Sequence, residues 1–326
     1  MRAVDVDSIL SIMAENTLRT GLPVPAPRDI AYRWAKPLDL PRSGRVFLYT
    51  GVMYQLMPYI KSLVAVLEQL EDSRLARVLR LAASSRLTGL AGAVIRPDRR
   101  EVELAENILA SIARLLARAG VDYAYLYEDD MYTGVILYDM GLEDAFQKHA
   151  AKVHDRLQRR GVEKLITVDP HTTYMLRHVY PEYIDGFDVE VVNYLEVLDE
   201  ALAGKALLAP GKQRDTVVVH DPCLYARALG VVEQPRRLLE AAGVTVLEPR
   251  RSGKMTYCCG GPVEALSPRL AARIASTRLN ELREKASTIV TMCPICYVSL
   301  SRVASGETIV DISLVLSKTL LRGKEV

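Results

Sequence analysis

The chain has 326 residues, of which 49% are hydrophobic and 25% are charged, and its formal net charge is +2. This length and composition are typical of a globular protein with a substantial core, and they favour two domains over one. The small net charge argues against a nucleic-acid partner and against an anionic membrane surface. No apolar run approaches the roughly 18 residues of a membrane span, so we expect no transmembrane segment of its own.

The N-terminus carries acidic residues and no long apolar core, so it is not a secretory signal and we expect a cytoplasmic protein. Its cysteines should then be reduced or metal-bound rather than joined in disulfides. Asn and Gln are few while Arg and Leu are many, which is compatible with a thermophile as the source.

The first half of the chain alternates between helix and strand patterns. A short helix around Ile9–Met13 and a proline-rich connector form a short helical N-terminal arm, residues 1–44. The strands predicted by apolar, β-branched and aromatic runs are at 45–50, 121–127 and 162–168. Apolar periodicity predicts three helical stretches. The first follows the strand at 45–50 and ends at about Glu71, the second covers 72–120 with a break near 88–98, and the third covers 142–161, where Gly161 is a stop signal.

The second half repeats this order. Its predicted strands are at 215–220, 244–249 and 288–292, and its predicted helices are at 235–243 and 267–286. In the longer helix, Leu270, Ile274 and Leu282 should share the buried face. Strands that alternate with helices predict parallel sheets in an α/β architecture, and residues 196–215 are the expected hinge between the halves.

An internal repeat relates the two halves. Thr167-Val-Asp-Pro-His-Thr-Thr-Tyr174 aligns with Thr291-Met-Cys-Pro-Ile-Cys-Tyr297, and each segment follows a predicted strand. Upstream, Tyr132-Thr133-Gly134 aligns with Cys258-Cys259-Gly260. The repeat predicts an internal duplication, with two homologous Rossmann-like α/β domains at residues 45–200 and 201–326.

The five cysteines of the chain all fall in the second half, each just after a strand or in a turn before a helix. They are Cys223, Cys258, Cys259, Cys293 and Cys296. Such positions converge at the carboxyl edge of a parallel sheet, where binding sites are built. Two adjacent cysteines can face one centre only in a tight turn, and the glycines that follow Cys259 permit one. We therefore expect one metal or redox site made of thiolates.

Several chemistries fit such a set. Four thiolates suffice for zinc or for a cubane cluster, and five are one more than a tetrahedral zinc site uses. A metal-free redox dithiol formed by Cys293 and Cys296 would leave the other three cysteines unexplained. His220 and Asp221, just before Cys223, either tune the site by hydrogen bonds or move a proton to a departing thiolate, or they are an ordinary strand-end histidine and a capping aspartate.

The order Cys, then CysCysGly, then Cys-x-x-Cys resembles the cysteine-rich CCG domain. That domain occurs in the B and D subunits of heterodisulfide reductases and in iron–sulfur subunits of glycolate, lactate and glycerol-3-phosphate oxidation systems and some archaeal succinate dehydrogenases. The resemblance implies two such domains in tandem over about 45–320. It also implies one non-cubane [4Fe–4S] cluster on all five cysteines, which would be its ligands and its catalytic groups, with zinc in some copies.

The first half departs from the family's pattern. Its motif positions are occupied by Val52, Tyr132, Thr133, Asp169 and Thr172 instead of cysteines. We therefore expect the first half to keep the fold and to have lost its cluster. Asp169 with His171 could ligate a metal, but we expect Asp169 to cap the following helix instead.

The resemblance implies an oxidoreductase subunit that exchanges electrons with a small thiol, disulfide or other sulfur substrate. Since the chain has no ferredoxin-type cysteine runs, its electrons should come from a ferredoxin-like or flavoprotein subunit of a larger complex. The alternatives are an electron-relay subunit of a succinate, glycolate or lactate dehydrogenase complex, and a zinc-stabilised assembly or anchoring subunit.

Overall fold

The computed structural model describes residues 6–71, 97–203, 215–264 and 266–320, and within them the chain forms two α/β halves. Each half is built on a four-stranded sheet in which all strands are parallel. The strands are β1 (Val46–Tyr49), β2 (Ala124–Tyr125), β3 (Lys164–Thr167), β4 (Glu190–Asn193), β5 (Thr216–Val219), β6 (Thr245–Leu247), β7 (Thr288–Thr291) and β8 (Thr308–Asp311). The orders β2-β1-β3-β4 and β6-β5-β7-β8 are the same, which confirms the predicted pair of α/β domains.

Helices connect and cover the strands. They are α1 (Val6–Thr20), α2 (Met53–Glu71), α3 (Arg99–Arg118), α4 (Val135–Asp139), α5 (Glu143–Arg159), α6 (Pro170–Tyr174), α7 (Tyr180–Tyr183), α8 (Tyr194–Leu202), α9 (Glu233–Ala241), α10 (Pro268–Arg283), α11 (Pro294–Val303) and α12 (Ile312–Leu320). A π-helical turn, Met175–Val179, joins α6 to α7, and a second one, Tyr225–Leu229, follows β5. None of the described helices is both long and apolar enough to cross a membrane.

The structure departs from the predicted elements in three places. β2 is shorter than the run at 121–127, because Tyr127 takes a positive φ of 52° and begins a 3₁₀ turn. β4 and β8 were not predicted. The expected hinge begins inside α8, while residues 204–214 lie outside the described residues, as do residues 72–96 of a predicted helix. The domain limits at 44 and 200 stay predictions.

The buried face of α10 is rotated from the predicted one. Leu270 is 48% exposed, so the prediction for this residue was wrong. Ala271, Ala275 and Leu282 face the interior together with Arg278, whose side chain is wholly buried. A pattern that counts arginine as a surface residue places the apolar stripe on the wrong side.

The two halves face each other through reciprocal contacts. Tyr54 stands two residues after Val52 and donates a hydrogen bond to Asp311, at the end of β8 in the other half, at 2.7 Å. Tyr225 stands two residues after Cys223, and its hydroxyl accepts a hydrogen bond from Asn193, at the end of β4, at 2.6 Å. In each half, a tyrosine hydroxyl thus forms a hydrogen bond with the end of the last strand of the other half, as expected for a pseudo-twofold pair.

Candidate metal centre

The local structure explains why each cysteine stands where it does. Cys223 begins the helical turn after β5, and Cys258 and Cys259 lie in an irregular segment before a 3₁₀ turn. Cys293 is the N-cap of α11, and Cys296 lies in its first turn. Parallel strands β5 and β7 therefore deliver three of the five thiols from their carboxyl ends, and the glycine-rich turn delivers the other two.

The structure brings all five cysteines together as free thiols. Cys258 contacts both Cys223 and Cys259 by side-chain hydrogen bonds. Cys259 in turn contacts Cys296, and Cys296 contacts Cys293. Cys259, Cys293 and Cys296 are buried, whereas Cys223 and Cys258 are half-buried. The set is therefore continuous and opens outward at Cys223 and Cys258.

The turn at the cysteine pair depends on its two glycines. Gly260 has a φ of +90°, and a Cβ there would lie 2.6 Å from the carbonyl oxygen of Ala271. A Cβ at Gly261 would lie 2.2 Å from Ile295 and 3.5 Å from the sulfur of Cys259. The backbone amide of Gly260 donates to the Cys258 sulfur at 3.3 Å. The tight turn predicted for the pair is present, and only glycine fits it.

The electrostatics of the thiols divide them into two groups. The hydrogen bond from Cys223 lowers the pKa of Cys258 to about 2, with further lowering by Cys259. Burial raises the pKa of Cys293, but hydrogen bonds from Cys296 and His171 outweigh it and the net shift is downward. Hydrogen bonds with Cys258 raise the pKa of Cys223 and Cys259, and hydrogen bonds with Cys259 and then Cys293 raise the pKa of Cys296. Two thiolates at most are favoured before a cation enters the site.

The imidazole ring of His220 is buried next to the cysteine sulfurs. One ring nitrogen of His220 lies within 4.8 Å of the sulfurs of Cys259 and Cys296. Its Nδ1 accepts a hydrogen bond from Nε of the buried Arg278 at 3.1 Å, while its Nε2 is buried without a partner. Burial, reinforced by Arg278, lowers the pKa of His220 to about 3, so the ring is neutral. Because arginine can only donate, Nδ1 is the acceptor and Nε2 carries the proton.

Asp221 has a structural role. Its carboxylate accepts two hydrogen bonds from Arg236, at 2.8 and 3.0 Å, and one from the amide of Gly253 at 2.7 Å. Thr256 donates to its backbone carbonyl at 2.9 Å. Residues 253–256 lie just before the cysteine pair in the chain, so these hydrogen bonds of Asp221 hold the segment before the pair in position.

The first half also reaches the site. His171 stands in the segment that aligns with Cys293–Cys296, and its side chain hydrogen-bonds to Cys293. Burial lowers the pKa of His171, but Cys293, Asp169 and Asp139 together raise it to about 9. Its Nδ1 is buried without a hydrogen-bond partner. The first half thus has no cysteine, but it places an imidazole against the cysteine site of the other half.

The other degenerate positions are structural. Asp169 caps α6 by accepting from the amides of His171 and Thr172, at 2.9 and 3.0 Å, so the predicted cap is confirmed. The alignment with Cys293 is close, since both residues are N-caps with φ near −140° and both precede a proline. Val52, Tyr132 and Thr133 are buried in the core of the first half.

Arg278 was not predicted from the sequence as a member of this neighbourhood, and His171 was considered only as a possible ligand beside Asp169. Arg278 looks like an exposed helix residue until the helix is docked, and no local pattern marks it as the partner of His220. His171 stands two residues after Asp169, but its contact with Cys293 depends on how the halves pack. The internal repeat is the signal that points to His171. This polar residue lies in the segment that aligns with Cys293–Cys296, and its side chain faces the cysteine site of the other half.

Five thiols that contact one another, three of them buried, lie at the carboxyl edge of a parallel sheet. They define a thiolate site of the class that holds metal ions or iron–sulfur clusters. Residues 217–301 match the family model of the cysteine-rich domain, CCG. This match is the one that the cysteine spacing predicted.

Curated relatives extend the comparison beyond the matched domain. The chain is 32% identical over 208 residues to a probable membrane-anchored ferredoxin of Chromohalobacter salexigens, covering 61% of this chain and 30% of that protein. It is 32% identical over 199 residues to the probable iron–sulfur-binding oxidoreductase FadF of Bacillus subtilis, covering 60% and 28%. It is 26% identical over 197 residues to the D subunit of the dihydromethanophenazine:CoB–CoM heterodisulfide reductase of Methanosarcina barkeri, covering 58% and 48%.

These relatives are named as iron–sulfur proteins, oxidoreductases or reductase subunits, so the chain is related to redox proteins. The chain spans less than a third of the first two relatives and about half of the third.

Proposed function

We propose that the chain is an iron–sulfur redox subunit of the heterodisulfide reductase type that holds one non-cubane [4Fe–4S] cluster. Its ligands are Cys223, Cys258, Cys259, Cys293 and Cys296. The subunit exchanges electrons with a thiol, a disulfide or another sulfur substrate, within a larger complex. The observation that carries the proposal is the continuous chain of contacts that joins all five cysteines.

The donor set fits an iron–sulfur group. Five thiols in contact cannot all ionise by themselves, because each thiolate raises the pKa of its neighbours. A cluster supplies the positive charge that lets the remaining thiols deprotonate. The protonated Nε2 of His220, buried without a partner near two sulfurs, fits a donor to cluster or ligand sulfur rather than a sixth ligand.

When bound, a cluster of this kind supplies one-electron transfer. The chain's own residues hold the thiolates in place and exclude water, since Cys259, Cys293 and Cys296 are buried. The two half-buried cysteines, Cys223 and Cys258, lie nearest to solvent and to an entering substrate. His171 holds a hydrogen bond at Cys293, which favours negative charge on that sulfur.

Reduction of a disulfide breaks one S–S bond, consumes two electrons and two protons, and releases two thiols. Since the proposal assigns all five cysteines of this sequence to one site, the electrons come from a redox group outside these 326 residues. We assign that role to a ferredoxin-like or flavoprotein partner. The relation to a reductase subunit supports this assembly.

Anaerobic purification followed by metal analysis and EPR tests the cluster. We expect about four iron atoms and four sulfides per chain. Cys259→Ser should lose the cluster and the electron-transfer activity, while most of the fold survives. Thr277→Ser, on the exposed side of α10, is the control and should retain both. About one zinc per chain, with neither iron nor sulfide, would contradict the proposal.

An electron-relay subunit of a dehydrogenase complex is the second candidate. The relation to a protein named as a ferredoxin favours it. Stopped-flow oxidation of the reduced protein separates the two functions. A relay subunit is oxidised by a redox protein and is inert toward disulfides, whereas a reductase subunit is oxidised by disulfides with release of thiol. A zinc-stabilised assembly subunit is identified instead by zinc in place of iron and by a sharp fall of the melting temperature in Cys259→Ser.

A further inference from the structure

Exposed apolar side chains flank the turn that carries the cysteine pair. Among the described residues, five large hydrophobic side chains are exposed, and four of them lie within residues 255–270, on both sides of the pair. Met255 is the most exposed of the four, at 71%. Single exposed apolar residues are ordinary on a protein surface, but four within one short stretch of chain mark a contact surface. We call these four residues the apolar patch: Met255, Tyr257, Leu266 and Leu270.

The fold places both parts of the apolar patch against the cysteine turn. Met255 and Tyr257 come just before Cys258 in the chain. A Cβ at Gly260 would lie 2.6 Å from the carbonyl oxygen of Ala271, so the turn packs against the first turn of α10, which carries the second leucine of the patch. The apolar patch therefore borders the outward opening of the site, where Cys258 is half-buried.

Cations accompany the apolar patch. The segment 249–258 contains Arg250, Arg251 and Lys254 and no carboxylate. Arg250 and Lys254 are exposed. The guanidinium of Arg251 lies over the ring of Tyr257, 4.1 Å from its centre. The segment that leads to the cysteine pair is thus both apolar and basic.

Arg227 links this basic segment to the other half-buried cysteine. It stands four residues after Cys223, in the π-helical turn that follows β5, and it is exposed. Its guanidinium donates to the backbone carbonyl of Lys254 at 3.2 Å and to that of Thr256. A further positive charge therefore lies at the opening formed by the two half-buried cysteines.

The carboxylates that contact the basic segment do not cancel its charge. Asp221 accepts from the backbone of the segment, but it is buried and pairs with Arg236 at 2.8 Å. Glu281 accepts from the amide of Arg251 at 2.7 Å, and it pairs with Arg278 at 3.0 Å. The surface around the opening therefore stays positive, which favours an acidic partner.

The combination indicates a protein partner rather than a membrane. A helix that lies on a membrane presents one continuous apolar face, whereas the apolar patch consists of four side chains from two separate segments. Protein interfaces combine an apolar centre with polar surroundings, and Met, Tyr and Arg are enriched in them. A protein seated here would cover the opening of the cysteine site.

We propose that the apolar patch, with Arg227, Arg250 and Lys254, docks an acidic ferredoxin-like protein over the opening of the cysteine site. The docking surface follows from exposure and charge. That the docked protein delivers electrons rests on the proposed function. One electron then passes at a time, the partner is oxidised and the redox group at the five cysteines is reduced, and no bond forms or breaks in this step.

Biolayer interferometry of the anaerobically purified full chain, with an acidic two-cluster ferredoxin as the probe, tests the docking. The chain should bind the ferredoxin at an ionic strength of about 0.02 M and about ten-fold more weakly at about 0.3 M, because salt screens exposed charges. Lys254→Glu and Met255→Ser should each weaken binding at low salt by about ten-fold. Lys148→Glu on α5 and Leu18→Ser on α1 make the same changes at exposed positions elsewhere, and both should bind as the wild type does.

Three results would overturn the proposal. The first is no binding of the ferredoxin, or equal weakening by the two variants and their controls. The second is flotation of the chain with phosphatidylserine vesicles that Met255→Ser abolishes, which would assign the patch to a membrane. The third is a dimer in sedimentation equilibrium that Met255→Ser dissociates, which would assign the patch to a second copy of the chain.

The iron and sulfide count separates this failure from a failure of the proposed function. A chain that holds a full cluster and binds no ferredoxin refutes the docking surface alone. A chain that binds the ferredoxin as expected but holds no iron keeps the docking surface and loses the cluster.

Discussion

Arg278 shows how a single residue sets the chemistry of the site from outside it. The side chain is wholly buried, and it donates to Nδ1 of His220 at 3.1 Å, to the carbonyl of Arg251 at 2.9 Å and to Glu281 at 3.0 Å. Its bond to His220 leaves the proton on Nε2, which faces the sulfurs. Arg278 is therefore a positioning residue for His220.

We expect Arg278→Met to destabilise the fold by about 1–3 kcal/mol, because it leaves the buried Nδ1 of His220 without its donor, while Glu281 keeps its contacts with Arg251. It should also remove the hydrogen bond that fixes the tautomer of His220. A mixture of Nδ1–H and Nε2–H forms should then replace the single Nε2–H form. Nitrogen-15 NMR of histidine-labelled, reduced, metal-free protein reports the tautomer directly. His220→Gln assigns the resonance.

The matched control is Arg273→Met on the exposed face of the same helix. It removes the same charge, and it should leave both the stability and the Nε2–H form unchanged. A wild-type His220 that carries its proton on Nδ1, or one whose tautomer is insensitive to Arg278→Met, would refute the positioning role.

Individual residues could be predicted from the sequence where their chemistry is distinctive. The five cysteines form an ordered motif, and the structure brings all five together. Asp169 could be predicted as a cap because it precedes a proline at a strand end. Arg278 and the contact of His171 with Cys293 could not, because both depend on a docking geometry that neighbouring residues do not encode.

At the scale of elements, the fourth strand of each sheet forms the contact between the halves. Asp311 at the end of β8 accepts from Tyr54 and from Ser313, and Asn193 at the end of β4 donates to Tyr225 and Thr173. The two strand ends are equivalent, but one carries a carboxyl and the other an amide. Burial raises the pKa of Asp311 from 3.8 to about 6, although its hydrogen bonds oppose that shift.

The raised pKa makes a prediction about pH. A carboxyl whose pKa is higher in the folded than in the unfolded chain favours folding below its unfolded pKa and loses that contribution as pH rises through about 6. Asp311→Asn installs the residue that the other half already uses, and it removes the cost of a buried charge. We expect the variant to be about 1–3 kcal/mol more stable than the wild type at pH 8.

Urea unfolding at pH 8 and at pH 4.5 measures this difference, which should be clearly smaller at the lower pH. The reverse change, Asn193→Asp, is the matched control, and it should destabilise the protein more at pH 8 than at pH 4.5. A gain for Asp311→Asn that is the same at both values of pH would show that the charge of Asp311 is not its cause.

The elements themselves were predictable where the pattern is long. β1, β3, β5 and β7 are central strands whose apolar runs are bounded by turn residues, and α5, α9 and α10 have clear periodicity or end signals. β4 and β8 lie at sheet edges in runs of four residues, too short to stand out. β2 pairs with β1 through only two residues, so its length is set by the turn that follows it.

At the scale of the molecule, the halves share one core cluster, besides a cluster that belongs to each half. Buried side chains from both sheets and from the N-terminal arm pack into a single cluster, which includes Trp34, Leu48, Ile108, Tyr194, Val219, Leu238 and Val290. Splitting the halves would expose this apolar face and break the reciprocal tyrosine contacts. The duplication therefore persists as one folding unit, although only one half keeps the cysteines.

The shared core predicts cooperative unfolding, and the chain carries a separate probe for each half. Trp34, the single tryptophan, is buried in the arm and donates to Ala31 and Tyr125 of the first half, at 3.1 and 3.2 Å. The visible absorbance of the cluster reports the second half. Because neither half buries its face alone, heating should give coincident transitions by tryptophan fluorescence and by cluster absorbance.

The far-ultraviolet circular dichroism of the metal-free protein is the control, since it must follow the fluorescence of Trp34 if cooperativity resides in the polypeptide. A fluorescence transition well separated from the other two would show that the first half unfolds independently and that the core is not shared energetically.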